Sequence, residues 1–130
     1  MKRLLILFFV VFGLVPSIAQ ENRISQAIEF FNQKQYSLAQ SIFAKIDGET
    51  ALFYNAKCSK ELQSDDSKEL FIQLLDEYPF SLYYNDALSN LANIYFIDDD
   101  YTNAISFYIR IDGDLTDKQS FNLAYSYFQL

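Results

Sequence analysis

YSLAQSIFAKIDG (Tyr36–Gly48) and YTNAISFYIRIDG (Tyr101–Gly113) stand 65 positions apart and align without a gap. Tyr, Ala, Ser, Ile, Asp and Gly coincide, six of thirteen positions. Phe43 faces Tyr108, Lys45 faces Arg110 and Ser37 faces Thr102, so the chemistry matches where identity does not. Such a match marks an internal repeat, and a repeat reads as stacked supersecondary units.

Outward from these two stretches, apolar residues recur at three- and four-residue spacing. Ile24, Ala27, Ile28 and Phe31 share one helical face, as do Leu88, Leu91, Ala92 and Tyr95. Breaks fall at 33–35, Asp47-Gly48, 64–66, Pro79, 98–100 and 112–114, and no stretch alternates in the manner of a strand. The spacing predicts seven helices over about 21–33, 37–46, 50–62, 67–78, 82–97, 101–111 and 117–130. Asp66-x-x-Glu69 and Thr116-x-x-Gln119 read as helix starts, the second as a capping box. Gly48 and Gly113 are expected to stop their helices in the left-handed region. The expected fold class is all-α.

The chain has 130 residues, with 13 Phe, 10 Tyr and no His. Without His, the commonest general base and metal ligand is absent, and no Ser/His/Asp set can form. Cys58 is the single cysteine, so no internal disulfide exists, and a small buried residue is expected there. Asp98-Asp99-Asp100 lacks the spacing of a calcium loop and is expected to turn and cap a helix. The expectation is a non-enzyme with no catalytic residues, metal or cofactor.

MKRLLILFFVVFGLVPSIAQ (residues 1–20) has the layout of a secretory signal peptide: Lys2 and Arg3, an apolar run from Leu4 to Val15, then Ser17-Ile18-Ala19. Cleavage is expected before Gln20, giving a signal peptide over 1–19 and a repeat domain over 20–130; an uncleaved anchor is the alternative. No Cys stands at the cleavage site for lipid attachment, and no membrane span is expected afterwards. Residues 20–130 hold eight Lys and Arg against 17 Asp and Glu, net −9. That charge opposes nucleic acid and anionic lipid as partners.

The residues then resemble tetratricopeptide repeats. The third repeat shows the pattern in Leu88, Leu91-Ala92, Tyr95, Tyr101, Ala104 and Tyr108; the first in Ala27, Phe30, Tyr36, Ala39 and Phe43. The second has Leu52, Ala56, Ser67, Phe71 and Pro79, and departs most, with Asn55 and Ser59 where Leu and Tyr are usual. The fourth has Leu123-Ala124 and Tyr127. EYPFSLYYNDALSNLANIYF (Glu77–Phe96) is similar to repeats of bacterial envelope proteins of this kind. The resemblance implies a right-handed superhelix of antiparallel helix pairs, an α-solenoid of about three and a half pairs. It implies Ala27, Ala56, Ala92 and Ala124 at close helix approaches. FNLAYSYFQL (Phe121–Leu130) offers an apolar face with no second helix, so a longer repeat protein is expected; a natural stop is the alternative.

The function implied is a non-enzymatic scaffold that binds another envelope protein or peptide, exported to the periplasm or the outer membrane. By the family's phase, a protein-binding groove would be lined by Phe53, Lys57 and Lys60, then Ser89, Asn93 and Phe96, then Phe121, Tyr125 and Phe128. The alternative is that Phe96, Phe121 and Phe128 pack against further repeats. Two rival functions are a repeat module of a larger enzyme or sensor, and a helical ligand-binding protein for carbohydrate uptake.

Overall fold

The computed structural model describes residues 18–130. The signal-peptide reading over 1–19 therefore falls almost wholly outside the described residues. Seven helices and no strand occur among them. They are α1 (18–32), α2 (Tyr36–Phe43), α3 (Glu49–Glu61), α4 (Ser67–Glu77), α5 (Tyr84–Ile97), α6 (Tyr101–Tyr108) and α7 (Asp117–Gln129). Each of α3 to α7 packs on the helix before it, and α5 also meets α7. No helix among the described residues is long and apolar enough to cross a membrane.

Burial explains the packing. Three clusters follow one another along the chain. Ala27, Ala39, Phe43, Ile46, Ala51 and Cys58 join α1, α2 and α3. Phe53, Ala56, Phe71, Leu74, Leu75, Ala87, Leu88 and Leu91 join α3, α4 and α5. Ala92, Ala104 and Tyr108 join α5 and α6. Tyr54 touches the first two clusters, and Tyr95, Phe107 and Ile111 the last two. The core is thus handed from helix to helix rather than gathered at one centre, and each fully buried Phe or Leu contributes about 1.5–3 kcal/mol.

The 65-residue echo is visible atom by atom. α2 and α6 have equal length and start 65 positions apart. The Gln20 side-chain amide donates to the Asp47 carbonyl at 3.0 Å, and that of Asn85 donates to the Asp112 carbonyl at 2.7 Å. Phe31 meets Tyr36 edge to face at 5.3 Å, and Phe96 meets Tyr101 likewise at 6.0 Å. α2 and α6 both end three residues earlier than the sequence pattern suggests. In each, the next turn tightens to three-residue bonds: Ile46 N–H to Phe43, and Ile111 N–H to Tyr108.

Two expectations about helix ends are corrected. Gly48 and Gly113 do have positive φ, 115° and 88°. They do not stop α2 and α6, however; Gly48 is the N-cap of α3, and Gly113 turns the loop before α7. The left-handed stops fall at Lys34, Gln63 and Asp99, with φ of 61°, 54° and 60°. After each, the next N–H bonds five residues back: Gln35 to Phe30, Ser64 to Ser59 and Asp100 to Tyr95. This is the Schellman closure, here without glycine. Ala27, Ala56 and Ala92 each stand seven positions before such a stop, and all three are fully buried.

Asp66 is the second correction. It occupies the N-cap position of α4 but makes no capping bond. Its backbone is helical (ψ −3°), which turns the carboxylate away from the first N–H groups and onto the Ser59 hydroxyl. Thr116 and Gln119, in contrast, form the expected capping box of α7.

Candidate functional site

The odd-numbered helices are linked side by side through polar and aromatic contacts, with the even-numbered helices packed between them in sequence. The Lys57 ammonium of α3 lies over the Phe31 ring of α1 at 5.1 Å and the Phe53 ring at 5.5 Å. Lys60 of α3 donates to the Asn90 side chain of α5 at 2.7 Å. Gln119 of α7 donates to the Ser89 hydroxyl of α5 at 3.1 Å. Phe96 of α5 meets Tyr125 of α7 edge to face at 5.9 Å. These contacts bring Lys57, Lys60, Ser89, Phe96 and Tyr125 onto neighbouring helices, whereas Phe53 is buried in the core.

Phe53 is 4% exposed, stacks on Tyr83 at 4.4 Å and meets Phe71 edge to face. It belongs to the α3–α4–α5 core and offers no surface to a partner. The α4–α5 connection folds Tyr83 across it, which helical phase alone does not reveal.

The two lysines of the face are electrostatically coupled. Burial holds the Lys60 ammonium below the usual lysine range, and Lys57 and Lys118 add repulsion, against a counter-pull from Glu61. Three cations thus gather on α3 and α7 in a chain of net charge −7. The cation–π placement of Lys57 is worth about 0.5–1 kcal/mol in a partly exposed setting.

Asn93 and Ser89 are less free than their polarity suggests. Asn93 Oδ1 accepts from the Tyr108 hydroxyl at 2.6 Å, and that hydroxyl accepts from Asn122 Nδ2 at 3.0 Å. Tyr108 is 1% exposed and Asn122 5%, so this chain of bonds ties α5, α6 and α7 together. Ser89 already accepts from Gln119. The Asn93 amide donors and the Ser89 hydroxyl proton remain for a ligand, with one acceptor site already used on each side chain.

At the α5–α7 end, Phe96, Tyr101, Phe121 and Tyr125 line a cleft of about 300 Å³ with Ile97 and Asp99. Tyr125 is the hub, 5.9 Å from Phe96, 5.9 Å from Tyr101 and 6.1 Å from Phe121, the last stacked. Tyr101 donates to the Asp99 carboxylate at 2.7 Å, which pushes its pKa up to about 12. Phe121 and Phe128 are 65% and 84% exposed.

The three-aspartate run is divided among structural tasks. Asp98 pairs with Lys68, Asp99 accepts from Tyr101, and Asp100 caps α6 through the Asn103 N–H. Among the described residues no group of three or more His, Cys, Asp or Glu could hold a metal ion. Cys58 is buried and free, and burial pushes its thiol up to about 11, away from reactivity. A further cleft of about 470 Å³, lined by Lys60, Ser64, Lys68, Ile94, Ile97 and Asp98 among others, was not foreseen in the sequence; it forms where the α3–α4 turn meets the end of α5. Comparison with protein-family models finds no match for the chain, and comparison with curated proteins finds none either.

Proposed function

We propose that the chain is a non-enzymatic binding scaffold of the tetratricopeptide type, a right-handed superhelix exported to the periplasm or outer membrane of a bacterium. The observation that carries the binding role is the set of contacts linking α3, α5 and α7, which we read as one face. There Lys60 bonds Asn90 of α5, Lys57 lies over the Phe31 ring of α1, and Phe96 meets Tyr125 of α7. The relay of core clusters and the three matching Schellman stops support a stack of helix pairs. The export reading rests on the Lys2–Ala19 pattern.

The partner suited to this face is an extended or helical segment with acidic or C-terminal carboxylate groups and apolar side chains. Lysines that are partly desolvated bind carboxylates more strongly than solvated ones, and the charge on the rest of the chain repels acidic partners elsewhere. The test is fluorescence anisotropy with a set of acidic amphipathic peptides and their charge-reversed counterparts. Lys57→Ala with Lys60→Ala should weaken the acidic set at least about tenfold, and, because it also removes the Lys57 ring contacts and the Lys60–Asn90 bond, binding is compared well below the thermal midpoints of both chains. Raised salt should weaken binding too. Equal binding by parent and variant would remove the groove assignment.

The aromatic cleft around Tyr125 favours a second reading, ligand binding of the carbohydrate-uptake kind. Flat rings with an adjacent carboxylate suit a sugar face and its hydroxyls. Saturable binding of a small sugar, lost in Tyr125→Ala and unaffected by Lys57→Ala, would favour it over the scaffold.

A further inference from the structure

The α4–α5 connection, YPFSLYY (Tyr78–Tyr84), carries the two most exposed large apolar side chains among the described residues. Phe80 is 98% exposed and Leu82 is 92% exposed. The segment that holds them is well fixed. Ser81 N–H bonds the Tyr78 carbonyl at 3.0 Å, which makes a turn with Pro79 in its second position. The Ser81 hydroxyl accepts from Tyr83 N–H at 3.0 Å, and its carbonyl accepts from Tyr84 N–H at 3.1 Å. Tyr83 is then pinned by its stack on buried Phe53 at 4.4 Å. Phe80 and Leu82 are therefore presented on a braced turn.

Chain topology places this turn at the same end of the stack as the α2–α3 and α6–α7 connections. Cross-links confirm the neighbourhood. The Thr50 hydroxyl at the start of α3 lies 3.4 Å from the Tyr83 hydroxyl, and the Arg110 guanidinium donates to the Tyr84 hydroxyl at 2.9 Å. This end is acidic: Asp47, Asp76, Glu77, Asp86, Asp112 and Asp114 are all exposed there. Lys45 and Arg110 are the basic residues of the three connections, and Arg110 is engaged with Tyr84. Asp76 and Glu77 sit in the last turn of α4, where the helix dipole disfavours negative charge. The apolar pair buries almost nothing in the fold, and Glu77 makes an exposed bond, accepting from Gln73 one turn earlier at 2.9 Å.

We propose that Phe80 and Leu82 are paired anchors of a second docking surface, whose occupant is an amphipathic helix of a partner protein with an apolar stripe flanked by Lys and Arg. Aromatic and aliphatic anchors on a rigid turn lose little conformational entropy on binding. The exposed carboxylates of this end favour a basic partner and repel an anionic membrane. This surface lies apart from the lysine-bearing face of α3 and has the opposite sign, so the proposal does not depend on that face being used.

A Leu/Lys amphipathic peptide serves as the probe, with a Leu/Glu peptide of the same pattern and vesicles of phosphatidylcholine with and without phosphatidylglycerol as comparisons. The expected result is binding of the Leu/Lys peptide only, weakened at least about tenfold in the Phe80→Ser, Leu82→Ser double variant. Raised salt should weaken it, and Lys57→Ala with Lys60→Ala should not. Both substituted side chains lie in solvent, so helical circular dichroism should be unchanged. Equal peptide binding by the double variant overturns the proposal. So does tighter binding to either vesicle, which would make the turn a membrane wedge. So does self-association of the parent chain that the double variant abolishes, which would make the occupant a second copy.

Discussion

Asn85 grips the main chain of Asp112 at both ends. Its amide nitrogen donates to the Asp112 carbonyl at 2.7 Å, and its carbonyl oxygen accepts from the Asp112 N–H at 2.8 Å. The first turn of α5 thereby fixes the connection between α6 and α7, 27 residues away in sequence. Gln20 makes the first of these two bonds to Asp47 and forms the earlier copy of the same contact.

Asn85→Ala should therefore destabilise the chain by about 1–3 kcal/mol, two modest hydrogen bonds at a partly solvated site. Gln20→Ala, which removes one bond in an exposed position, should cost less than about 1 kcal/mol. Urea midpoints at unchanged m-value measure both. An equal cost for the two would mean that the second bond of Asn85 contributes nothing.

Ala92 and Ala124 occupy matching positions in the sequence pattern but not in the structure. Ala92 is fully buried in the cluster with Ala104 and Tyr108, whereas Ala124 is exposed. Ala92→Leu should overpack α5 against α6 and cost about 1–3 kcal/mol. Ala124→Leu should change stability by less than about 0.5 kcal/mol. Paired urea titrations separate the outcomes, and a harmless Ala92→Leu would contradict close packing of α5 on α6.

The Asn93–Tyr108–Asn122 chain of bonds makes Asn93 a structural residue first. The sequence pattern puts it among the groove-lining residues, whereas its carbonyl oxygen is engaged inside the fold. Asn93→Ala strips the buried Tyr108 hydroxyl of its acceptor and should cost about 1–3 kcal/mol. Tyr108→Phe removes the stranded hydroxyl but also takes the acceptor from buried Asn122, so the double variant should cost less than the sum of the two single losses. Additive losses in thermal melts of the four-member cycle would disprove the coupling. Any effect of Asn93→Ala on partner binding has to be read against this loss.

The helices and their order were legible because three-residue apolar spacing repeats along the whole described chain, and the gapless match of Tyr36–Gly48 to Tyr101–Gly113 located two equivalent helices. Local capping was legible where the side chain and backbone agree, as at Thr116 and Asp100. It was not where a residue had two partners to choose between: Asp66 turned to Ser59 instead of its own helix. The stops at Lys34, Gln63 and Asp99 were hidden because left-handed residues other than Gly and Asn carry no strong sequence signal. The burial of Phe53 did not follow from helical phase, because Tyr83 reaches it from a connection whose path no periodicity describes. The exposure of Phe80 and Leu82 was equally hidden, since apolar composition normally signals burial.

The Ser59–Asp66 pair gives the chain an acid-sensitive element. Ser59 is fully buried on α3 and donates to the Asp66 carboxylate at the start of α4. The Ser59 hydroxyl, then that of Ser64, holds the Asp66 carboxyl below its ordinary value of 3.8. A carboxyl whose folded pKa is depressed contributes stability above its unfolded pKa. That contribution is lost as pH falls through the folded value. Unfolding free energy should accordingly decline as pH drops from about 4, in addition to the decline from other carboxylates. Asp66 is exposed, so solvent screens the effect and its size should be modest. Ser59→Ala removes the first cause of the shift. The Asp66 resonance in a carboxyl NMR titration should then move up toward 3.8, and the variant's stability should fall less steeply below about pH 4. At neutral pH the same substitution should cost about 1 kcal/mol for the lost bond. An Asp66 titration identical in parent and variant would show that the Ser59 hydroxyl does not hold the carboxylate in solution.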